Sequence, residues 1–227
     1  MQRRRTYWLS KSSFLMYLQC PKSFYLYKYN YHLQDKPSPE LLAKYAHGHQ
    51  FETIRDKLYP GGILLKPPSP TQWAKAVETT TALVASEQPV LYEAAFAHNG
   101  AMCAVDVLKK DSTGWQMIEI KSSTRNAAAF WYDAAYQYWV LTNSGLALTD
   151  VILVQPTHEL SVGSEIKTNY TFISLLEKAC DLFDEIDAHI NNAKNILLLP
   201  QQPDIQLGKQ CEKPYSCKFL GYCRHRK

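Results

Sequence analysis

The stretch Ala101-Met-Cys-Ala-Val-Asp-Val-Leu108, with Asp111-Ser-Thr-Gly114 and Trp115-Gln-Met-Ile-Glu-Ile-Lys121 after it, decides the fold. Its apolar residues alternate as they do in strands, and Asp111 to Gly114 reads as the turn between two of them. Upstream, Val90 to Ala97 has the same character. His98-Asn-Gly100 joins it to Ala101 through the Asn-Gly dipeptide that favours a tight hairpin. Val90 to Ala97, Ala101 to Leu108 and Trp115 to Ser122 therefore read as a three-strand meander.

Chemistry appears once side chains are placed on these strands. Alternation sets Met102, Ala104, Asp106 and Leu108 on one face, so Asp106 lies in an otherwise apolar row. Glu119 and Lys121 are two residues apart and share a face of the third strand. A Glu-x-Lys pair often does no more than face solvent. With Asp106 beside it near the middle of a sheet, it needs an explanation, because buried charges are costly unless paired or bound to metal.

Working outward, Ser10 caps a helix running through the twenties and bent at Pro21. Ser38-Pro-Glu40 starts a helix that reaches about Tyr59 before Pro60-Gly-Gly62 stops it. On that helix Leu41, Tyr45, Gly48, Glu52 and Tyr59 fall within roughly a 60° sector, so Glu52 points with the apolar stripe. Helices are also expected over 71–86 and 127–142, a strand from Asp150 to Gln155, and a long amphipathic helix from Thr171 to about Lys194. Asp133 and Gln137 are one turn apart on the mostly apolar helix ending at Gly145. A buried Gln there can orient a carboxylate, a water or a phosphate, although each residue singly reads as structural. The order of elements implies a single α/β domain over 1–227, with a mixed central sheet and helices on both faces.

With 46% hydrophobic residues, the 227-residue chain is neither disordered nor low-complexity. No apolar run approaches the roughly 20 residues that cross a bilayer, so no membrane is expected. Met1-Gln-Arg-Arg-Arg5 leads into no signal-peptide stretch, and a cytoplasmic location is the expectation. The net charge of +4 is uneven. Residues 1–30 hold six Lys/Arg and no acid, residues 205–227 hold six against Glu212, and the middle is acidic. The first 31 residues also hold nine aromatics, among them Tyr25, Tyr27, Tyr29 and Tyr31. Basic groups interleaved with rings can track a phosphate backbone while stacking bases. The same pattern suits an amphipathic helix with a Tyr-rich core face.

Six cysteines without an export signal are not expected to pair as disulfides, since the cytosol keeps thiols reduced. Cys211, Cys217 and Cys223 are spaced Cys-x5-Cys-x5-Cys in a short basic tail whose prolines and glycines break any helix. Zinc sites usually show close Cys-x2-Cys pairs, whereas Fe–S clusters accept more varied spacings among four thiolates. Cys20, in Leu18-Gln-Cys-Pro-Lys22, is the natural fourth. Cys103 and Cys180 lie in apolar patterns and read as small buried hydrophobes.

Helix Glu52, strand Asp106, then Glu119-Ile-Lys121 and a helix with Gln137 together resemble the PD-(D/E)xK nuclease superfamily in its RecB-like branch. Leu9-Ser-Lys-Ser12, Gln19-Cys-Pro-Lys22 and the Cys-rich tail are similar to members that clamp a 4Fe–4S cluster between their termini, such as CRISPR-adaptation exonucleases and AddB-type nuclease domains. Asp133-Ala-Ala-Tyr-Gln137 and the tail pattern Cys-x2-Pro-x2-Cys-x-Phe are closest to an uncharacterised bacterial Fe–S group.

The resemblance implies a restriction-endonuclease-like core, with 1–35 and 200–227 forming the cluster region around Cys20, Cys211, Cys217 and Cys223. It implies that Glu52, Asp106, Glu119 and the Ile120 carbonyl hold Mg²⁺ or Mn²⁺, that Lys121 positions or activates water, and that Gln137 supports the site. Where RecB-like members often carry His, Gly48-His-Gln-Phe-Glu52 offers Glu52, with His49 the lesser candidate. Leu141 stands where a Tyr usually follows Gln137. A DNA nuclease follows, an exonuclease on single strands, with Lys11, Lys22, Lys213 and Lys218 forming a strip for the nucleic acid. RNA is a weaker substrate reading. The alternative from another class is a non-catalytic nucleic-acid-binding module with a structural Fe–S or zinc site.

Overall fold

Ser10 opens the first helix with a reciprocal cap. The Ser13 amide donates to the Ser10 hydroxyl at 3.4 Å and the Ser10 amide to the Ser13 hydroxyl at 2.9 Å. The computed structural model describes residues 8–37, 49–65 (49–53 as backbone only), 69, 72–122, 124, 126–157 and 170–225. Along the chain come β1 (Leu9–Ser10), α1 (Lys11–Gln19), α2 (Pro21–Tyr29), α3 (His49–Leu58), β2 (Ile63–Leu64), α4 (Trp73–Ala85), β3 (Val90–His98), β4 (Ala101–Lys110) and β5 (Trp115–Ile120). Then follow α5 (Trp131–Asn143), β6 (Leu148–Pro156), β7 (Tyr170–Ser174), α6 (Leu176–Asp181), α7 (Phe183–Ile196) and α8 (Leu220–His225). The protein is α/β, a mixed seven-stranded sheet flanked by helices. The chain divides into two compact units, one of residues 1–8 and 48–186 and the other of 9–47 and 187–227.

In the first unit six strands run in the order β2-β3-β4-β5-β6-β7. The β2–β3 and β5–β6 pairs are parallel and the others antiparallel. The Asn99-Gly100 turn has φ of 47° and 83°, the pair of positive values that a tight hairpin needs. On one face Val107, Ile118, Ile120 and Val154 pack with Ile54, and Leu58 packs against that cluster, so α3 covers this side. On the other face α5 contributes the fully buried Tyr136, whose hydroxyl accepts from the Met102 amide at 3.1 Å. The Thr80 hydroxyl of α4 accepts from the Ala95 amide of β3 at 3.1 Å.

The second unit is tied across long sequence distances. Gln19 Nε2 donates to the carbonyls of Gln210 at 2.8 Å and Tyr215 at 2.7 Å. The Asp35 amide donates to the Lys218 carbonyl at 2.7 Å, and Asp35 Oδ2 accepts from the Gly221 amide at 2.9 Å. Phe14, Phe24, Leu26 and Phe219 are fully buried there. On and just after α2 the aromatics divide between two roles, since Phe24 and Tyr25 are buried while Tyr29 and Tyr31 are 41% and 61% exposed.

Four expectations need correction. The helix expected from Thr171 starts as a strand, because the aromatic and β-branched run Tyr170-Thr-Phe-Ile-Ser174 pairs antiparallel with β6. The remainder is two helices broken at Leu182. At Pro21 the helix does not bend but breaks, since Cys20 before the proline takes extended backbone with φ −161° and ψ 109°. Residues 127–130 of the 127–142 helix form a 3₁₀ turn. Cys103 is buried as expected, but Cys180 is exposed, because α6 turns the neighbouring Ala179 inward instead. The start signal at 38–40 and the stripe residues Leu41, Tyr45 and Gly48 lie outside the described residues.

Candidate functional site

Two groups of chemistry-bearing side chains form, one in each unit. In the first unit β4 and β5 are the central strands, and their register pairs Val107 with Ile118. Asp106 and Glu119, one residue away from that pair, therefore share the sheet face opposite α3. Met102, Ala104 and Asp106 are half-buried, while Cys103, Val105 and Val107 are fully covered. Asp106 Oδ2 accepts from the Ile120 amide at 2.8 Å, which fixes the carboxylate beside the end of β5.

Glu119 is only 3% exposed. Its Oε1 accepts from Lys121 Nζ at 2.5 Å and its Oε2 from Gln137 Nε2 at 2.8 Å. Lys121 Nζ also donates to Asp133 Oδ2 at 2.6 Å and lies 5.1 Å from the centroid of the Phe130 ring. Gln137 is fully buried, and its Oε1 has no hydrogen-bond partner among the described residues. Since buried acceptors are paired as a rule, that oxygen asks for a donor beyond the described residues, such as water. Asp106, Glu119, Lys121 and Gln137 are thus brought into one connected group with the Ile120 peptide. Glu52 is on α3, and its side chain, like that of His49, lies outside the described residues.

Sequence reasoning passed over two acids here. Asp133, 6% exposed in the first turn of α5, read as structural, though its spacing from Gln137 marked it as sharing that residue's face. Glu93 carried no signal. The register pairs Tyr92 with Val107 and Ala94 with Val105, which sets Glu93 opposite Asp106. There Glu93 takes φ of 51°, a left-handed backbone that is uncommon outside glycine and is found at functional sites.

In the second unit Cys20, Cys211, Cys217 and Cys223 line one small cavity together with Lys22, Ser23 and Phe219. Cys20 precedes Pro21, the first residue of α2, and Cys211 closes a short 3₁₀ turn whose carbonyl accepts from the Cys217 amide at 2.8 Å. Burial pushes the Cys20 thiol up, the Ser23 and Lys22 amides draw it back down, and the nearby Cys217 and Cys211 raise it further. The Cys223 thiol is also raised, first by burial, against the lowering effect of Lys22. Lys22 Nζ donates to the Ile205 carbonyl at 3.3 Å. Among the described residues no three Cys, His, Asp or Glu side chains close around a point as ligands of a single ion do. An iron–sulfur cube holds its thiolates further apart than one ion does, and a cavity lined by four thiols is the donor set it takes.

A scan against protein-family models gives no match, and no curated protein matches the chain. No helix among the described residues is long and apolar enough to cross a membrane.

Proposed function

We propose that the chain is a metal-dependent deoxyribonuclease, a RecB-like member of the PD-(D/E)xK superfamily with a restriction-endonuclease-like core, and that it carries a structural 4Fe–4S cluster. One observation carries the reading. A nearly inaccessible Glu119 sits on a central strand between a Lys121 ammonium and a Gln137 amide, beside a half-buried Asp106 bound to the Ile120 peptide. Charges gathered and buried this way need a task, and oxygen ligands with room for water suit Mg²⁺ or Mn²⁺.

Asp106, Glu119 and the Ile120 carbonyl would hold the metal, Glu52 would join them from α3 around the end of the β4–β5 ladder beyond Val107 and Ile118, and Gln137 Oε1 would accept from a water at the site. When bound, the metal lowers the pKa of water and offsets charge developing on the phosphoryl oxygens. Lys121 directs its ammonium at the attacking water or a phosphate oxygen, adding a donor where negative charge grows. Gln137 keeps Glu119 oriented and Asp106 steadies the end of β5.

The partner is single-stranded DNA, and the charge division supports it. The unit of 9–47 and 187–227 carries 12 Lys/Arg against 5 Asp/Glu, including Lys11, Lys22, Lys213 and Lys218, while the other carries 13 against 16. Exposed Tyr29 and Tyr31 add rings to the basic unit.

The test is cleavage of labelled single- and double-stranded DNA by anaerobically prepared protein with Mn²⁺, Mg²⁺ or EDTA. Single strands should be cut with either metal and spared with EDTA, and Glu119→Ala should lose on the order of 10²-fold or more in rate. Protein that binds DNA but cuts nothing is instead the non-catalytic module. A Glu119→Ala variant as fast as wild type removes the assigned site.

A further inference from the structure

We propose that Asp133 is the positioning residue for Lys121, holding its ammonium at the end of β5 while Glu119 serves the metal; this rests on the nuclease reading above. Among the described residues Lys121 Nζ pairs with the carboxylates of Glu119, Oε1 at 2.5 Å, and Asp133, Oδ2 at 2.6 Å. The two acids differ in what else they do. Glu119 shares its strand with the Ile120 peptide and faces with Asp106, so a divalent ion at that face competes with Lys121 for its Oε1. Asp133 comes from another element, the first turn of α5, and is 6% exposed. Its Oδ2 accepts from Lys121 Nζ, and its Oδ1 lies 3.5 Å from Gln137 Nε2, a long contact.

Electrostatics points the same way. An ion arriving at Glu119 repels the half-buried ammonium, and the Asp133 carboxylate bonded to it opposes that repulsion. With it, the ammonium keeps a partner that the metal does not claim, and the Phe130 ring 5.1 Å from Nζ closes another side. Lys121 then stays where a donor is useful as the phosphate gains charge.

The experiment compares wild type, Asp133→Asn and Asp133→Glu in the full chain with its cluster. It measures kcat and KM on single-stranded DNA at saturating Mn²⁺, Mn²⁺ affinity by the paramagnetic signal of the free ion, and iron content as a check of folding. Asp133→Asn should lower kcat on the order of 10- to 100-fold, as loss of an orienting partner does, with KM and Mn²⁺ affinity within about twofold of wild type. Asp133→Glu keeps the charge but displaces it by one methylene, and should be slowed on the order of tenfold with the same unchanged affinities. A folded variant at the wild-type kcat overturns the proposal, and so does a parallel loss of Mn²⁺ affinity, which would make Asp133 a metal ligand. Should Asp133→Asn fail to fold, Asp133→Glu decides on the same two readouts. Wild-type protein that cuts nothing overturns the nuclease reading and this proposal with it, whereas an active wild type beside an unslowed Asp133→Asn removes this proposal alone.

Discussion

Gln137 shows how a single residue fixes a carboxylate. Among the described residues Glu119 is held by the Lys121 ammonium on one oxygen and by the neutral Gln137 amide on the other. Gln137→Leu keeps the volume and removes this donor from a buried carboxylate. A stability loss of about 1–3 kcal/mol should follow, read as a lower denaturant midpoint at an unchanged slope. A midpoint equal to that of wild type would mean that the Glu119–Gln137 bond is not formed in solution. At this scale the sequence was informative where periodicity applies. Asp106, Glu119 and Lys121 could be placed on strand faces because side chains alternate with period two. The Lys121–Asp133 pair could not, because it depends on how a helix seats on a strand twelve residues upstream, which no local period encodes.

At the level of elements, the meander was readable because three signals agree: alternation in each strand, Asn-Gly at one turn and Asp111-Ser-Thr-Gly114 at the other. The Asp111 carboxylate accepts from the Thr113 and Gly114 amides at 2.8 and 3.2 Å, the local bonding that makes such a sequence turn. β7 was missed for the opposite reason. A five-residue edge strand adjoining an amphipathic helix blends into the helical pattern, and only its pairing with β6 separates the two. The link between α4 and β3 yields a prediction of its own. Thr80 is fully buried and its hydroxyl is the acceptor for the Ala95 amide. Thr80→Val is nearly isosteric, so the change isolates the lost acceptor, and thermal or denaturant unfolding should show a destabilisation of about 1–3 kcal/mol. Hydrogen exchange at the Ala95 amide should quicken as well. An unaltered unfolding curve would show that the amide finds another acceptor.

For the whole molecule the informative quantity is sequence separation. Gln19 and Gln210 are 191 residues apart and hydrogen-bonded, and their neighbours Cys20 and Cys211 line the same cavity. Closing so long a loop is entropically costly, so a covalent or metal staple there confers more than a short-range one. The cysteine spacing pointed to such a staple, but the carbonyl anchors of Gln19 and the Asp35 bonds to the tail had no sequence signature. These anchors matter for the expected phenotype, because they hold the tail to the N-terminal helices apart from any cluster.

Anaerobically purified protein should be brown, absorb in the visible and contain on the order of four irons per chain. Cys20→Ser and Cys217→Ser should each lose the iron and lower the melting temperature without abolishing the strand signal of the other unit, whose core of Val107, Ile118, Ile120 and Val154 uses none of these residues. Cys103→Ser and Cys180→Ser should keep the colour. Cys103 is buried in β4, and Cys180 is exposed on α6 with its thiol on the Tyr138 hydroxyl at 3.3 Å, so neither belongs to the cavity. Iron retained in Cys217→Ser would exclude Cys217 as a ligand. Stoichiometric zinc with no iron would replace the cluster by a single ion, requiring the four sulfurs to draw closer together, and would leave the carboxylate site of the other unit as it stands.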